Sequence, residues 1–303
     1  MTNTFYVLAI ASSLLLGVAL YALRLHKAGL KPLAAAAALP FSAALGFLLA
    51  KVLYVLLQTN YVWRRWGFAS FLRMQLTEFS FFGGMVGVLL GVMIAGALLR
   101  LPLRRNLDAF APAMALIAAL WKFSEYFLGD FGSGSYVENE AHQFFPLAVK
   151  NQYEEWYYAV FMLAGLCALI VFVVSLLRTK RHGDVPGMLF GRTAFYLALP
   201  LVLCESLRAE CMRWGFVKCE QVLCGVTIGA AILALCVGTR VPHSRRYLPI
   251  AGVLVIVAGL VGVEFMLDKL SYPEYVGYSI MLILLILLAL LEVATVRRRR
   301  RNG

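Results

Sequence analysis

Nine long apolar runs alternate with short polar segments along the chain. Each run holds roughly 20 residues with few or no charges, which is the length a helix needs to cross the hydrocarbon core of a bilayer. Apolar and polar residues do not alternate within the runs, so the pattern predicts membrane-spanning helices and not the strands of a β-barrel. The runs lie near residues 4–23, 33–57, 79–99, 108–128, 155–177, 187–207, 219–238, 247–267 and 276–296. We therefore expect an all-α, polytopic integral membrane protein with about nine transmembrane helices.

The composition supports this class. The 303 residues are 62% hydrophobic, and their mean hydropathy is +0.80. Soluble globular domains average about 45–50% apolar residues, so this chain has more apolar surface than a soluble core buries. The six cysteines form no Cys-x-x-Cys pair and show no spacing with histidine that is typical of a metal site. We expect neither a metal nor a cofactor.

Positive charges fall mainly in alternate connections. Seventeen of the 28 Lys and Arg residues follow the first, third, fifth, seventh and ninth runs. They are Arg24, Lys27, Lys31, Arg100, Arg104, Arg105, Arg178, Lys180, Arg181, Arg240, Arg245, Arg246 and Arg297 to Arg301. Cytoplasmic connections carry an excess of Lys and Arg, so the pattern predicts an N-terminus outside and a C-terminus in the cytoplasm. The net charge of +12 then reflects topology and contact with anionic membrane lipid, and it predicts no nucleic-acid partner.

A few charged residues interrupt the runs at one depth. Lys51, Lys122, Glu125, Glu205 and Arg208 all lie within about 10 Å of the predicted outer boundary, at 1.5 Å per residue. Charges inside a span are costly and mark a functional site by default. Two other interpretations stay open: Lys122–Glu125 and Glu205–Arg208, each three residues apart, also fit structural pairs, and Lys51 also fits a side chain that snorkels to the headgroups.

Several stretches resemble the bacterial prolipoprotein diacylglyceryl transferases in order and spacing. They are Ala50-Lys51-Val52-Leu53-Tyr54-Val55-Leu56, Ser80-Phe81-Phe82-Gly83-Gly84-Met85-Val86-Gly87, Ala111-Pro112-Ala113-Met114-Ala115-Leu116, Lys122-Phe123-Ser124-Glu125-Tyr126, Tyr153-Glu154, Pro186-Gly187 and Glu205-Ser206-Leu207-Arg208. The resemblance implies a seven-helix core over residues 1–240. It leaves residues 241–303 as an additional transmembrane hairpin with a basic cytoplasmic tail.

The family reaction moves a diacylglyceryl group from phosphatidylglycerol to the cysteine thiol of a lipoprotein precursor, at the outer face of the bacterial plasma membrane. The resemblance therefore implies a multi-pass protein of that membrane. Its partners would be phosphatidylglycerol, membrane lipid and a precursor with a lipobox cysteine.

The resemblance also implies a set of site residues. Lys122 and Arg208, with Lys51, would hold the phosphate, and a carboxylate of Glu125, Asp130 or Glu205 would accept the thiol proton. The substrate-binding residues implied by the matched motifs are Lys51, Tyr54, Gly83, Gly84, Tyr153 and Glu154. Because Gly83, Gly87 and Gly91 recur every four residues, the glycines equally fit a close-packing seam.

The chain departs from the family pattern at four positions. Phe82 stands where the family has histidine, and Leu201 stands where it has an arginine. Lys122 and Glu125 stand at its arginine and asparagine. These exchanges keep open a second hypothesis, a non-catalytic relative that binds phospholipid or lipoprotein precursor. A transporter ranks last, because the spans show no inverted repeat and their centres carry few charges.

Overall fold

A computed structural model of the chain describes residues 2–129, 131–151, 153–178, 185–209, 211–214, 217–236, 248–269 and 273–302. Within these ranges, nine helices are long and apolar enough to cross a membrane, which confirms the predicted number. They are α1 (Thr2–Lys27), α2 (Leu33–Leu57), α3 (Phe81–Leu98), α4 (Leu103–Ser124), α5 (Val160–Arg178), α6 (Met188–Leu207), α7 (Cys219–Cys236), α8 (Leu248–Lys269) and α9 (Glu274–Asn302).

Three helix boundaries differ by five or more residues from those predicted. Helix α4 begins at Leu103 after Pro102, so Arg104 lies in its first turn and not in a connection. Helix α9 runs on through the terminal arginines to Asn302, because hydropathy marks where a helix leaves the apolar layer and not where its backbone ends.

The start of α5 was also predicted too early. Residues Trp156–Tyr158 form a β-strand (β2) that pairs antiparallel with Ala148–Lys150 (β1), and α5 begins only at Val160. The three aromatic residues of this strand, Trp156, Tyr157 and Tyr158, favour extended backbone. A second two-stranded ribbon, Arg213–Trp214 (β3) with Val217–Lys218 (β4), joins α6 to α7.

Helices α2 and α3 pack closely through small residues. A Cβ atom added at Gly83, Gly87 or Gly91 of α3 would overlap the α2 backbone at Leu49, Leu45 or Ser42 respectively. Only glycine permits backbones to approach this closely in a membrane. The predicted close-packing seam is therefore confirmed.

Helix α4 contacts α1, α3, α5 and α6, and its alanine-rich faces are buried. The last two helices, α8 and α9, pack on each other, and they also contact α6 and α7. Helices α2, α4, α6 and α8 end at the same end of the bundle as the β1–β2 and β3–β4 ribbons. We call this end the site end.

Candidate active site

Five charged side chains from three helices meet at the site end. Lys122 Nζ lies 2.9 Å from Glu125 Oε1 and 3.4 Å from Glu205 Oε1. Arg208 NH1 lies 3.1 Å from Glu205 Oε2 and 3.4 Å from Glu220 Oε2. All five residues are buried, at 7% exposure or less. We call Lys122, Glu125, Glu205, Arg208 and Glu220 the charge cluster.

The ends of α4 and α6 position this cluster. Lys122 lies in the last turn of α4, and Glu125 opens a tighter 3₁₀ turn, Glu125–Leu128, that follows it. Helix α6 ends at Leu207, and the extended backbone of Arg208 keeps its guanidinium beside Glu205. Both predicted pairs thus form, and the contact from Lys122 to Glu205 joins them across two helices.

Glu220 is a member of the charge cluster that sequence reasoning missed. It lies in the first turn of α7, where the partial positive charge of a helix N-terminus favours a carboxylate. An acidic residue in the first turn is usually a helix signal, so its position in the sequence gave no sign of the contact with Arg208.

The charge cluster holds three carboxylates against two cations. Burial alone would lower the pKa of Arg208, which lies just beyond α6, but the neighbouring carboxylates, Glu205 foremost, raise that pKa above its ordinary value. No described residue hydrogen-bonds to Glu125 Oε2 or Arg208 Nε, although both atoms are buried. Buried polar atoms without partners are rare in proteins and call for an explanation.

A short segment after the 3₁₀ turn covers the cluster. The Arg208 guanidinium lies 5.1 Å from the centre of the Phe131 ring, and Ser133 accepts a 3.1 Å hydrogen bond from the Ala209 amide. Gly132 has φ of +84°, and a Cβ atom there would overlap Glu125 Oε2. The predicted residue Asp130, next to this segment, lies outside the described residues.

Two cavities meet at the charge cluster. A polar cavity of about 300 Å³ is lined by Tyr54, Phe131, Cys211, Glu205, Arg208 and Glu220. An apolar cavity of about 310 Å³ runs between α3, α4, α6 and α7. Its described lining is apolar except for Thr227 and the charged side chain of Lys122. The Lys122–Glu205 ion pair therefore stands between the two cavities.

The apolar cavity opens sideways between α3 and α7. Val86 and Val226 both line it and are 48% and 62% exposed. Phe82 and Leu201, two of the four positions that depart from the pattern the sequence resembles, form part of its wall. This opening connects the outer surface of the helix bundle to Lys122.

Lys51 does not snorkel to the headgroups. It is 3% exposed, and its Nζ lies 2.8 Å from Glu78 Oε2, while Arg73 NH2 lies 3.4 Å from Glu78 Oε1. The buried carboxylate of Glu78, just before α3, holds the ammonium inside the protein. Tyr54, one turn after Lys51, lines the polar cavity.

The other predicted binding residues lie elsewhere. Gly83 packs against the α2 backbone, and Gly84 packs against the Trp121 ring. Tyr153 is exposed in the turn between β1 and β2, where its amide bonds to Asn151 Oδ1, and Glu154 follows with φ of +65°. No described contact joins Tyr153 or Glu154 to the charge cluster.

Comparison with known protein families identifies the family of this chain. The family described as prolipoprotein diacylglyceryl transferase matches residues 2–237 of the chain. A search of curated proteins found no match. The matched range contains the whole charge cluster and ends before α8 and α9.

Proposed function

Because the chain belongs to the prolipoprotein diacylglyceryl transferase family, we propose that it transfers a diacylglyceryl group from phosphatidylglycerol to the cysteine thiol of a lipoprotein precursor. The family implies transfer from a lipid donor to a prolipoprotein. The choice of phosphatidylglycerol, the roles of individual residues and the orientation in the membrane are proposals.

One observation carries this proposal: the charge cluster joins an apolar cavity to a polar one. Transfer needs an apolar place for acyl chains, cations for a phosphate, and a polar entrance for a peptide thiol. Lys122 faces the apolar cavity, and Arg208 and Glu220 face the polar one. A lipid phosphate that enters sideways and a cysteine that enters from the site end would meet at the Lys122–Glu205 pair.

The reaction exchanges a carbon–oxygen bond for a carbon–sulfur bond, and the thiol proton passes to a base. The thiol sulfur bonds to the glyceryl carbon that carries the phosphate ester, and the carbon–oxygen bond breaks, so glycerol phosphate leaves with the electron pair. Lys122 and Arg208 would stabilise the charge that grows on the leaving oxygen. Lysine supplies a compact positive charge where the family has the planar fork of arginine.

A carboxylate would accept the thiol proton, because the thiolate is the nucleophile. We assign this role to Glu220, which lines the polar cavity and is held by a 3.4 Å contact with Arg208. Glu205 instead bridges both cations at 3.1 and 3.4 Å. Glu125, behind the Lys122 ammonium, would fix its position.

Loop charge supports the orientation of the site. With the N-terminus outside and the C-terminus in the cytoplasm, the site end faces the exterior of the bacterial plasma membrane, where secreted precursors arrive. We further propose that residues 1–240 form the catalytic core and that residues 241–303 add a hairpin to it.

The test is a transfer assay in lipid nanodiscs. Acyl-labelled phosphatidylglycerol and a lipobox peptide are incubated with the protein, and the thioether product is followed by mass spectrometry. We expect product with the cysteine peptide and none with the serine peptide, and a lower rate with phosphatidylethanolamine. Glu220→Gln should lower kcat by about 10²-fold, the lower range for a general base. Absence of product beside an active family control would overturn the proposal.

One observation favours a second candidate, a relative that binds lipid without transferring it. Phe82 and Leu201 form apolar wall where the family has histidine and arginine. That candidate predicts phosphatidylglycerol binding, measured by native mass spectrometry, with no thioether product from the same preparation.

A further inference from the structure

The hairpin of α8 and α9 places two buried carboxylates against the core. Glu264 of α8 is 6% exposed, and Glu292 of α9 is fully buried. Both helices follow the family-matched residues 2–237. Buried carboxylates in membrane helices are costly unless they are paired, so each one marks a specific contact.

Glu264 binds to the segment that carries Arg208. Its Oε2 accepts hydrogen bonds from Ser206 Oγ at 2.9 Å and from Gln221 Nε2 at 3.2 Å. Its Oε1 lies 3.6 Å from Lys218 Nζ. These three partners lie at the end of α6, in β4 and in the first turn of α7.

Lys218 continues the chain of contacts to the charge cluster. Its ammonium donates to the carbonyl oxygen of Ser206 and, at 3.2 Å, to that of Arg208. Carbonyls at a helix C-terminus lack intrahelical partners and are stabilised by a cation. Lys218 is 5% exposed, so it needs a carboxylate partner to remain there, and Glu264 supplies the charge.

We propose that Glu264 is a positioning residue of the transfer reaction: through Lys218 and Ser206 it fixes the backbone from which the Arg208 guanidinium reaches Glu205 and Glu220. The added hairpin is then part of the catalytic machinery and not only a membrane anchor. The inference rests on the proposed function, because it assigns Glu264 a role through Arg208.

The chain provides a matched control on the same hairpin. Glu292 binds Arg192 Nε at 2.7 Å and Tyr196 OH at 2.9 Å. Arg192 and Ser206 lie fourteen residues apart on α6, about 21 Å along its axis at 1.5 Å per residue. Glu292→Gln therefore removes a comparable hairpin contact far from Arg208.

The experiment compares Glu264→Gln, Glu292→Gln and the unaltered full chain in nanodiscs. We expect Glu264→Gln to lower kcat by about 10- to 100-fold with KM within about threefold, because a displacement near 1 Å can cost 10²-fold in rate. Glu292→Gln should keep kcat within about threefold. Backbone hydrogen exchange should speed up over residues 206–209 in Glu264→Gln alone. Where that variant does not fold, Ser206→Ala removes one bond to Glu264 without leaving an unpaired charge, and should shift both readouts in the same direction.

Two outcomes would overturn the inference. One is a normal kcat in Glu264→Gln, and the other is equal loss of kcat in both variants in step with a lower melting temperature. If the unaltered protein forms no thioether product, the proposed function fails separately. Hydrogen exchange then decides the positioning: faster exchange confined to residues 206–209 supports it, and unchanged exchange there overturns it.

Discussion

Replacing Lys122 by methionine removes the cation that links Glu125 to Glu205 while keeping a chain of similar length. Glu205 keeps its 3.1 Å contact with Arg208. Glu125 loses the 2.9 Å hydrogen bond from Lys122. Its carboxylate makes no other hydrogen bond to a described residue. Breaking a buried ion pair from one side costs about 3–5 kcal/mol of stability. Loss of one preorganised electrostatic contact to a developing charge costs about 10²–10³ in kcat.

The double variant Lys122→Met/Glu125→Gln separates these two effects. The second substitution neutralises the carboxylate that the first leaves unpaired, so most of the lost stability should return. The activity should not return, because no cation then faces the apolar cavity at this position. Melting temperature and single-turnover transfer, measured on the two single variants and the double variant, complete the thermodynamic cycle.

The reasoning would be refuted by either of two results. Transfer by Lys122→Met within about threefold of the unaltered protein would show that the phosphate does not use this cation. Activity that returns together with stability in the double variant would show that Lys122 serves only to hold Glu125. Lys122→Arg, which restores the residue type of the family, is the control and should retain activity.

Three further substitutions test packing and the cavities. Gly87→Ala should lower the stability of the protein by about 1–3 kcal/mol, because its Cβ would overlap the α2 backbone. The control Gly262→Ala has no atom within 4 Å of its Cβ and should not lower the melting temperature, because alanine favours a helix more than glycine does. Ala194→Phe, in the wall of the apolar cavity, should raise KM for dipalmitoyl phosphatidylglycerol about 15-fold, the equivalent of two excluded methylenes at ~0.8 kcal/mol each. An equal rise for a short-chain donor would contradict that use of the cavity. Gly132→Ala should push Glu125 from its place and lower kcat, because the φ of +84° and the overlap with Oε2 both oppose a side chain; normal kcat would show that this segment adjusts freely.

Much of the fold could be predicted from the sequence, because lipid imposes one dominant requirement. A run of about 20 apolar residues has no stable alternative to a helix there. The start of α5 was predicted wrongly because Trp156 and its neighbours are apolar enough to extend the run, while their hydrogen bonds go to β1. Hydropathy does not distinguish an interfacial strand from the first turn of a helix.

The site could be predicted in part. Lys122, Glu125, Glu205 and Arg208 stand out because charges within spans are rare, and their shared depth placed them together. Glu220 gave no such signal, because a carboxylate in the first turn of a helix is ordinary. The partner of Lys51 gave no signal either, because Glu78 lies in a connection and its pairing with Lys51 depends on how α2 meets α3. The sequence therefore left the wrong interpretation of Lys51 open.

The pairing of every cation in the charge cluster has a consequence for turnover. Lys122 and Arg208 each already bind a carboxylate, so a phosphate that binds these atoms must compete with that carboxylate. In the proposed reaction, the glycerol phosphate that leaves carries one more negative charge than the donor phosphate, and this charge would hold it tightly on two free cations. The displaced carboxylate competes for the same positions, and its return expels the product. We therefore expect the ion pairs of the cluster to form again after each cycle. The surplus of acidic side chains should speed release of the product and should not strengthen binding of the donor.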